Sequence, residues 1–239
     1  MDLKVHDLLR LREPDVLVSR GPVPEWVSEA LARAPWVVVR RAPVEGEFVP
    51  VGVRGQSRSE RFPAHVRSSS IVEWVSPESC ALQQGWKKSV RREELPAMCA
   101  LFRVHTELRT SDLAWGPVGS VGFELVSGLP VVEKTSDLDL IIRIRDLLIP
   151  TSVTQKLLVL LEVIGVGLDL LLETGQGAIS FQEYRRDEPK LVLRTVNGPI
   201  LIPHPERRTP QRESSEEKGR TPRNWIYHQD TENTELPRN

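Results

Sequence analysis

The chain has 239 residues, of which 39% are hydrophobic, and this is enough for one large domain or two small ones with a buried core. Lysine and arginine number 32 against 33 acidic residues, so the basic excess typical of proteins that bind nucleic acid is lacking. Charged residues interrupt the N-terminus and the apolar run over 157–172, so the sequence predicts neither a signal peptide nor a membrane span.

Two cysteines, Cys80 and Cys99, occur in no spacing typical of metal or redox sites. Reduced, buried thiols in a cytoplasmic protein are therefore expected.

Residues 1–92 predict a small N-terminal α/β domain. Its elements are a helix over 24–34 and strands over 36–40, 48–54 and 71–75. The strands over 36–40 and 48–54 are expected to pair through the turn at Glu45-Gly46. Ser76 followed by Pro77 predicts the start of another helix, with Ser76 as the N-cap.

Three arginines follow the second strand. Arg54, Arg58 and Arg61 fall in a predicted loop with small and polar residues. Guanidinium groups match phosphate oxygens, so the loop could bind a triphosphate or a coenzyme. A solvated surface loop is the alternative interpretation.

A basic run precedes a helix predicted over 95–108, and consists of Lys87, Lys88, Arg91 and Arg92. The run could bind an acidic carrier protein, or it could be a charged helix start in water. His105 within the helix is interpreted as a packing or surface histidine rather than a catalytic base.

Gly119-Ser120 begins a segment that indicates a ligand-binding function. Glycine allows a close backbone approach to a ligand, Ser120 is a good N-cap, and a two-turn helix is predicted over 121–127, with Gly128 at its end. The free N–H groups and dipole of a helix N-terminus bind anions, so a phosphate site is predicted here.

Asp137-Leu138-Asp139-Leu140 begins an alternating strand. Asp137 and Asp139 share a face and lie roughly 6.6 Å apart, because side chains of a strand repeat every second residue. Like charges held close are costly without a cation, and Mg²⁺ favours one or two carboxylates completed by water or phosphate. The pair therefore predicts a magnesium site.

The next strand is predicted over 166–173, after a helix that Thr151 or Ser152 is expected to cap and that reaches about residue 164. Asp169 sits among leucines there, and a buried charge needs a partner. A shared metal is the preferred explanation and a salt bridge to an arginine is the other. Glu173, on the same face of the strand, is the alternative to Asp169.

After the strand over 166–173, the sequence predicts a β-hairpin and then a tail. Residues 191–194 and 200–202 are expected to pair around Asn197-Gly198, which ends a second domain over 93–202. Residues 203–239 are almost entirely polar, charged or proline, which predicts a disordered tail.

These motifs resemble the nucleotidyltransferase superfamily of polymerase beta, whose signature is Gly-Ser, a short helix and Ser-Asp-Leu-Asp-Leu. Here it reads Gly119-Ser120 and Ser136-Asp137-Leu138-Asp139-Leu140, with a longer gap between its parts. Within the superfamily, the segments 115–125 and 50–55, with Arg58 and Arg61, are similar to the phosphoribosyl-dephospho-coenzyme A transferases of bacterial malonate decarboxylase. This resemblance covers roughly residues 5 to 202.

The resemblance implies an α/β (α+β) fold, in which a small N-terminal domain precedes a nucleotidyltransferase domain with a mixed sheet and flanking helices. It implies transfer of the prosthetic group from 2′-(5″-triphosphoribosyl)-3′-dephospho-coenzyme A to a serine of the apo acyl-carrier subunit, with release of pyrophosphate. Two Mg²⁺ ions would be held by Asp137, Asp139 and Asp169, while Gly119, Ser120 and the three loop arginines would bind phosphate.

Two other functions stay open from the sequence. One is a different nucleotidyltransferase that adenylylates a small molecule or a protein. The other is a non-catalytic module that binds a carrier subunit.

Overall fold

Two six-stranded sheets are the main elements of the computed structural model, which describes residues 2–14, 16–57, 59–186 and 188–207. Most of the tail predicted from residue 203 lies outside these ranges. Pro203 still belongs to the last strand, and the side chain of His204 is buried against Tyr184. In the described part of the chain, no helix has both the length and the apolar character needed to cross a membrane.

The N-terminal sheet is antiparallel throughout, with the strand order β2-β5-β4-β3-β1-β6. Its strands are β1 (Leu8–Leu11), β2 (Leu17–Val18), β3 (Trp36–Val39), β4 (Phe48–Arg54), β5 (Arg61–Arg67) and β6 (Ile71–Val75). The predicted pairing of β3 with β4 is confirmed, since Val38 lies opposite Gly52.

The C-terminal sheet has the order β12-β11-β10-β9-β8-β7 and is mixed, because β8 and β9 are parallel and the other pairs are antiparallel. Its strands are β7 (Ala114–Pro117), β8 (Leu138–Arg143), β9 (Leu168–Glu173), β10 (Ala178–Ser180), β11 (Lys190–Thr195) and β12 (Gly198–Pro203). The predicted α+β class is thus confirmed. The last hairpin differs in register, since Thr195 pairs with Gly198 and the turn is Val196-Asn197.

Among the residues that the structure describes, six α-helices accompany the sheets: α1 (Glu25–Arg33), α2 (Pro77–Gln83), α3 (Pro96–Leu108), α4 (Gly119–Ser127), α5 (Thr151–Val163) and α6 (Phe181–Tyr184). The predicted cap of α2 is confirmed, because Ser76 Oγ accepts a hydrogen bond from the Ser79 N–H at 3.1 Å. The predicted cap of α5 is wrong. Pro150, whose backbone is pre-set for a helix start, holds the N-cap position without a side-chain bond.

The helix α5 makes the crossover that allows β8 and β9 to run in the same direction. One face of this strand pair is fully apolar and builds the larger core; its residues are Leu138, Leu140, Ile142, Leu168, Leu170 and Leu172. The opposite face carries Asp139 and Asp169 in matched positions, and further along it Arg143 and Glu173. That second face looks toward the N-terminal half of the chain.

Ion pairs and a small apolar cluster join the two halves. Arg143 Nε donates to Glu78 Oε1 at 2.6 Å, and Arg41 Nη2 donates to the buried Glu173 at 2.5 Å. The cluster contains Leu8, Ala34, Trp36 and Phe123. Gly116 permits a close approach of β7 to α2, since a Cβ there would lie 2.0 Å from the Pro77 carbonyl oxygen.

A buried carboxylate fixes α4 to the loop that follows it. Glu124 accepts two hydrogen bonds of 2.8 Å from Arg91 Nη1 and one of 2.7 Å from the Val132 N–H. Arg91 Nη2 also donates to the Val132 carbonyl oxygen at 2.8 Å. Arg91 is therefore a structural residue. Of the basic run considered for carrier binding, Arg92 pairs with Glu93, and Lys87 and Lys88 are exposed.

The substitution Arg91→Ala is expected to lower the free energy of unfolding by about 2–4 kcal/mol, because it leaves the buried Glu124 carboxylate without its cation. The matched control is Arg92→Ala, whose partner Glu93 is exposed, and a loss of about 0–1 kcal/mol is expected there. Urea denaturation followed by circular dichroism measures both. Equal losses in the two variants would show that the Glu124 network does not stabilise α4.

Candidate active site

A cavity of about 740 Å³ lies between the two halves of the chain. The N-terminal sheet contributes residues of β1, β3, β4 and β5 to its walls, and the C-terminal half contributes the β7–α4 turn, β8 and β9. The sequence-predicted site residues among its lining are Gly119, Ser120, Asp139, Asp169, Arg54 and Arg61.

Asp139 and Asp169 are direct neighbours on parallel strands. The register of β8 and β9 pairs them, and adjacent strands are about 4.8 Å apart. Both side chains line the cavity, where Asp139 is half-buried and Asp169 is exposed. Two hard oxygen donors on one wall match what Mg²⁺ usually takes from a protein.

Asp137 lies one residue before β8 and is exposed. Its carboxylate lies against Gly167, where an added Cβ would meet Asp137 Oδ1 at 2.2 Å, whereas the Asp139 carboxylate lies against Gly119. In the described ranges, no group of three or more histidine, cysteine, aspartate or glutamate side chains is arranged to hold a metal ion. The predicted magnesium site therefore depends first on Asp139 and Asp169.

Gly119 is required at its position for two reasons. Its φ of +60° is in the left-handed region, and an added Cβ would lie 1.9 Å from Asp139 Oδ2. The preceding residue, Val118, donates its N–H to the Asp139 carbonyl oxygen at 2.9 Å. The glycine thus brings the start of α4 into contact with the carboxylate.

The first turn of α4 borders the cavity, with Gly119, Ser120 and Gly122 among the lining residues. Ser120 is the second residue of the helix, so the predicted N-cap role is wrong; Val118 is the N-cap and has no side-chain bond to offer. The difference arises because the left-handed Gly119 already belongs to the helix. The helix N-terminus remains in position for a bound phosphate.

Arg54 and Arg61 line the same cavity and come from the N-terminal sheet. Arg54 is the last residue of β4 and Arg61 is the first residue of β5, and the two residues are paired. They therefore flank the predicted loop as the closing pair of a β-hairpin. Arg61 Nη1 donates to the carbonyl oxygens of Ser57 and Glu60, and the Arg54 guanidinium lies 5.9 Å from the Phe123 ring centroid. Arg58 lies outside the described residues.

Glu173 is engaged elsewhere. Its buried carboxylate binds Arg41 and lies 3.9 Å from His6 Nε2. Asp169, which faces Asp139, is thus better placed than Glu173 to be the third carboxylate.

Four cavity residues with titratable side chains were not predicted from the sequence: His6, Arg40, Cys80 and Arg194. Burial raises the pKa of the Cys80 thiol to about 12, so it is a packing residue rather than a nucleophile. Arg40 and Arg194 add positive charge to the walls. No local motif marks either arginine, because only the two sheets bring them to the cavity.

His6 has a positive φ, which is unusual for a residue other than glycine, and the pKa of its imidazole is lowered. Its φ is +76°, and desolvation lowers the pKa of its imidazole to about 4 although Glu173 opposes the shift. Burial acts in the other direction on Asp7 and raises the pKa of that carboxyl to about 6. His6 is therefore neutral near pH 7.

Comparisons with known proteins agree with this architecture. A sequence model of the phosphoribosyl-dephospho-CoA transferase MdcG N-terminal domain matches residues 4–77, and one of the MdcG C-terminal domain matches residues 82–205. The chain belongs to the phosphoribosyl-dephospho-CoA transferase family. The transferase of that name from Pseudomonas putida is 36% identical over 202 residues, which cover 84% of this chain and 93% of that protein.

Further members of the phosphoribosyl-dephospho-CoA transferase family show similar identity. The Pseudomonas aeruginosa protein is 34% identical over 201 residues, and the Azotobacter vinelandii protein is 34% identical over 203 residues. Each alignment covers 84% of this chain and 92% of the relative. No solved structure matches this chain.

Both family domains contribute walls to the cavity. His6 and Arg54 lie in the part matched by the N-terminal domain, and Asp139 and Asp169 in the part matched by the C-terminal domain. The two matches meet within α2, ahead of the boundary predicted between residues 92 and 93. The candidate active site of this phosphoribosyl-dephospho-CoA transferase family member therefore needs both halves of the chain.

Gly119→Ala is expected to destabilise the protein more than Gly128→Ala does. Both glycines have positive φ, so each substitution costs about 1–2 kcal/mol for the backbone alone. The space at Gly128 is open, whereas at Gly119 the new Cβ would collide with Asp139. Urea denaturation of the two variants measures the difference. Equal losses would contradict the close contact between Gly119 and Asp139.

The substitution His6→Asn is expected to change the pH dependence of stability, and asparagine tolerates the positive φ. Between about pH 6.5 and 4 the unfolded chain binds a proton on His6 that the folded chain does not, so His6 lowers the free energy of unfolding as the pH falls. Asp7 has the opposite effect, since its folded pKa is raised. The charged groups around His6 are Glu173, Arg41, Arg143 and Glu78.

The variant should therefore gain free energy of unfolding relative to the wild type as the pH falls from 7 to 4.5, because it lacks the destabilising contribution of His6. Urea denaturation at several pH values measures this difference. A difference that does not change with pH would show that His6 titrates in the folded protein as it does in the unfolded chain.

Proposed function

We propose that this chain transfers the prosthetic group from 2′-(5″-triphosphoribosyl)-3′-dephospho-coenzyme A to a serine of the apo acyl-carrier subunit of malonate decarboxylase. The pairing of Asp139 with Asp169 on one wall of a cleft, with arginines on the other, carries this proposal. The curated relatives are named phosphoribosyl-dephospho-CoA transferases, which supports the donor. The chemistry also supports placement in the nucleotidyltransferase superfamily.

The reaction is a substitution at phosphorus. The serine oxygen of the carrier forms a bond to the innermost phosphorus of the triphosphate, and the bond from that phosphorus to the departing pyrophosphate breaks. The product is a phosphodiester, and the serine proton leaves to a base. Asp169 is the exposed carboxylate at the cavity wall, and we assign it the acceptance of this proton.

The positive groups bind and orient the donor. The first turn of α4 offers N–H groups and the positive end of its dipole to phosphate oxygens. Arg54 and Arg61 line the same cavity from the N-terminal sheet and bind the departing phosphates, where negative charge grows during the reaction.

The donor set fits magnesium. Asp139 and Asp169 would hold Mg²⁺, with Asp137 near the strand start as a further ligand when two ions bind. Bound Mg²⁺ would supply charge neutralisation for the phosphates of the donor.

Asp139→Asn and Asp169→Asn are each expected to reduce transfer by about 10²-fold or more, because each removes a carboxylate from the reacting wall while keeping its shape. The measurement is mass spectrometry of the apo carrier subunit after incubation with the protein, Mg²⁺ and the triphosphoribosyl donor. The matched control is Asp112→Asn, at an exposed position ahead of β7. It should leave the transfer unchanged.

The wild-type protein should add the mass of the prosthetic group to the carrier, and ATP in place of the donor should add none. No mass shift with folded protein and active donor would overturn the proposed function. Adenylylation of the carrier with ATP would show a different nucleotidyltransferase.

A further inference from the structure

A second cavity, of about 300 Å³, adjoins the candidate active site. It shares Arg54 and Phe123 with the larger cavity, so these two side chains form a common wall. The Arg54 guanidinium lies 5.9 Å from the Phe123 ring centroid, which keeps the cation beside an aromatic face. A ligand that passes this wall can occupy both cavities.

The inner walls of the second cavity are mainly apolar. Ala30 comes from α1, and Leu129, Pro130 and Val131 come from the loop after α4. That loop is held by the hydrogen bonds of Val132 with Glu124 and Arg91. The cavity is therefore largely preformed, as ligand pockets usually are.

The rim of the second cavity is positive. Arg33, the last residue of α1, is exposed there, and Arg54 lies at the common wall. Gln56 adds a neutral amide, and the described lining residues include no acidic side chain. The Glu60 carboxylate lies beside Gly55, accepts the Ser57 N–H at 2.8 Å and is near enough to Arg33 to offset part of its charge. Apolar walls suit a planar base, and guanidinium groups at the rim suit phosphate oxygens.

We propose that this second cavity binds the nucleotide part of the donor, with the adenine between the apolar walls and the 5′-diphosphate against Arg33. The proposal rests on the proposed function, since it names where the donor lies beyond its reacting triphosphate. The triphosphate occupies the larger cavity beside α4. The adenosine attached to its ribose must then lie next to that cavity, and the shared wall of Arg54 and Phe123 leads there.

Isothermal titration calorimetry of the full-length protein with dephospho-coenzyme A and with ADP tests the proposal, because both ligands lack the triphosphoribosyl group. Arg33→Glu is expected to weaken the binding of both ligands about tenfold or more, since it replaces a charged phosphate contact by repulsion. Arg103→Glu is the matched control, because Arg103 is also an exposed arginine on a helix. It should leave both affinities unchanged.

A second variant blocks the cavity rather than its charge. Pro130→Trp places a bulky side chain at an exposed position of the wall and should weaken both ligands as well. Pantetheine 4′-phosphate, which lacks the nucleotide, should not compete with ADP.

Unchanged affinities in both Arg33→Glu and Pro130→Trp would overturn the proposal, as would no binding of either ligand to the wild type at millimolar concentration. Competition between pantetheine 4′-phosphate and ADP would also overturn it, because it would show that the second cavity binds the pantetheine arm of the donor instead of the nucleotide. A different result would count against the proposed function alone: dephospho-coenzyme A binds as expected, and the carrier still gains no mass.

Discussion

The parallel register of β8 and β9 is the constraint on which the site depends. It pairs Asp139 with Asp169 on one face of the two strands. On the other face, the leucines and the isoleucine point into the larger core. A shift of one residue would exchange the two faces and bury the carboxylates among apolar side chains, at a high desolvation cost. The core therefore holds the register, and the register places the two carboxylates side by side.

Close contacts at glycine complete the carboxylate wall. Gly119 and Gly167 leave the room that the carboxylates of Asp139 and Asp137 occupy, and Glu124 fixes α4 through Arg91. The N-terminal sheet supplies the opposite wall with Arg54 and Arg61. Carboxylates on one side and guanidinium groups on the other give the cleft the two kinds of charge that a metal-bound triphosphate requires. The ion pair of Arg41 with Glu173 ties the two walls together.

The structure confirms the elements that have the strongest local signals in the sequence. The alternation over Phe48–Arg54 and the Ser76-Pro77 start of α2 are examples, because each depends on neighbouring residues alone. Other elements have weak local signals. The sequence of β1 lacks an apolar–polar alternation, β10 has only three residues, and Pro63 within β5 argues against a strand there. The arginines Arg40 and Arg194 and the second cavity depend on contacts between distant segments, which no local pattern records.

Diffraction from crystals soaked with Mn²⁺ and the donor would show whether Asp139 and Asp169 together bind the metal ion. Mn²⁺ has the same preference for oxygen ligands as Mg²⁺ and gives an anomalous signal. We expect an anomalous peak in contact with both carboxylates and with the donor triphosphate beside the first turn of α4. A peak bound to Glu173, or one that contacts Asp137 without Asp139 and Asp169, would contradict it.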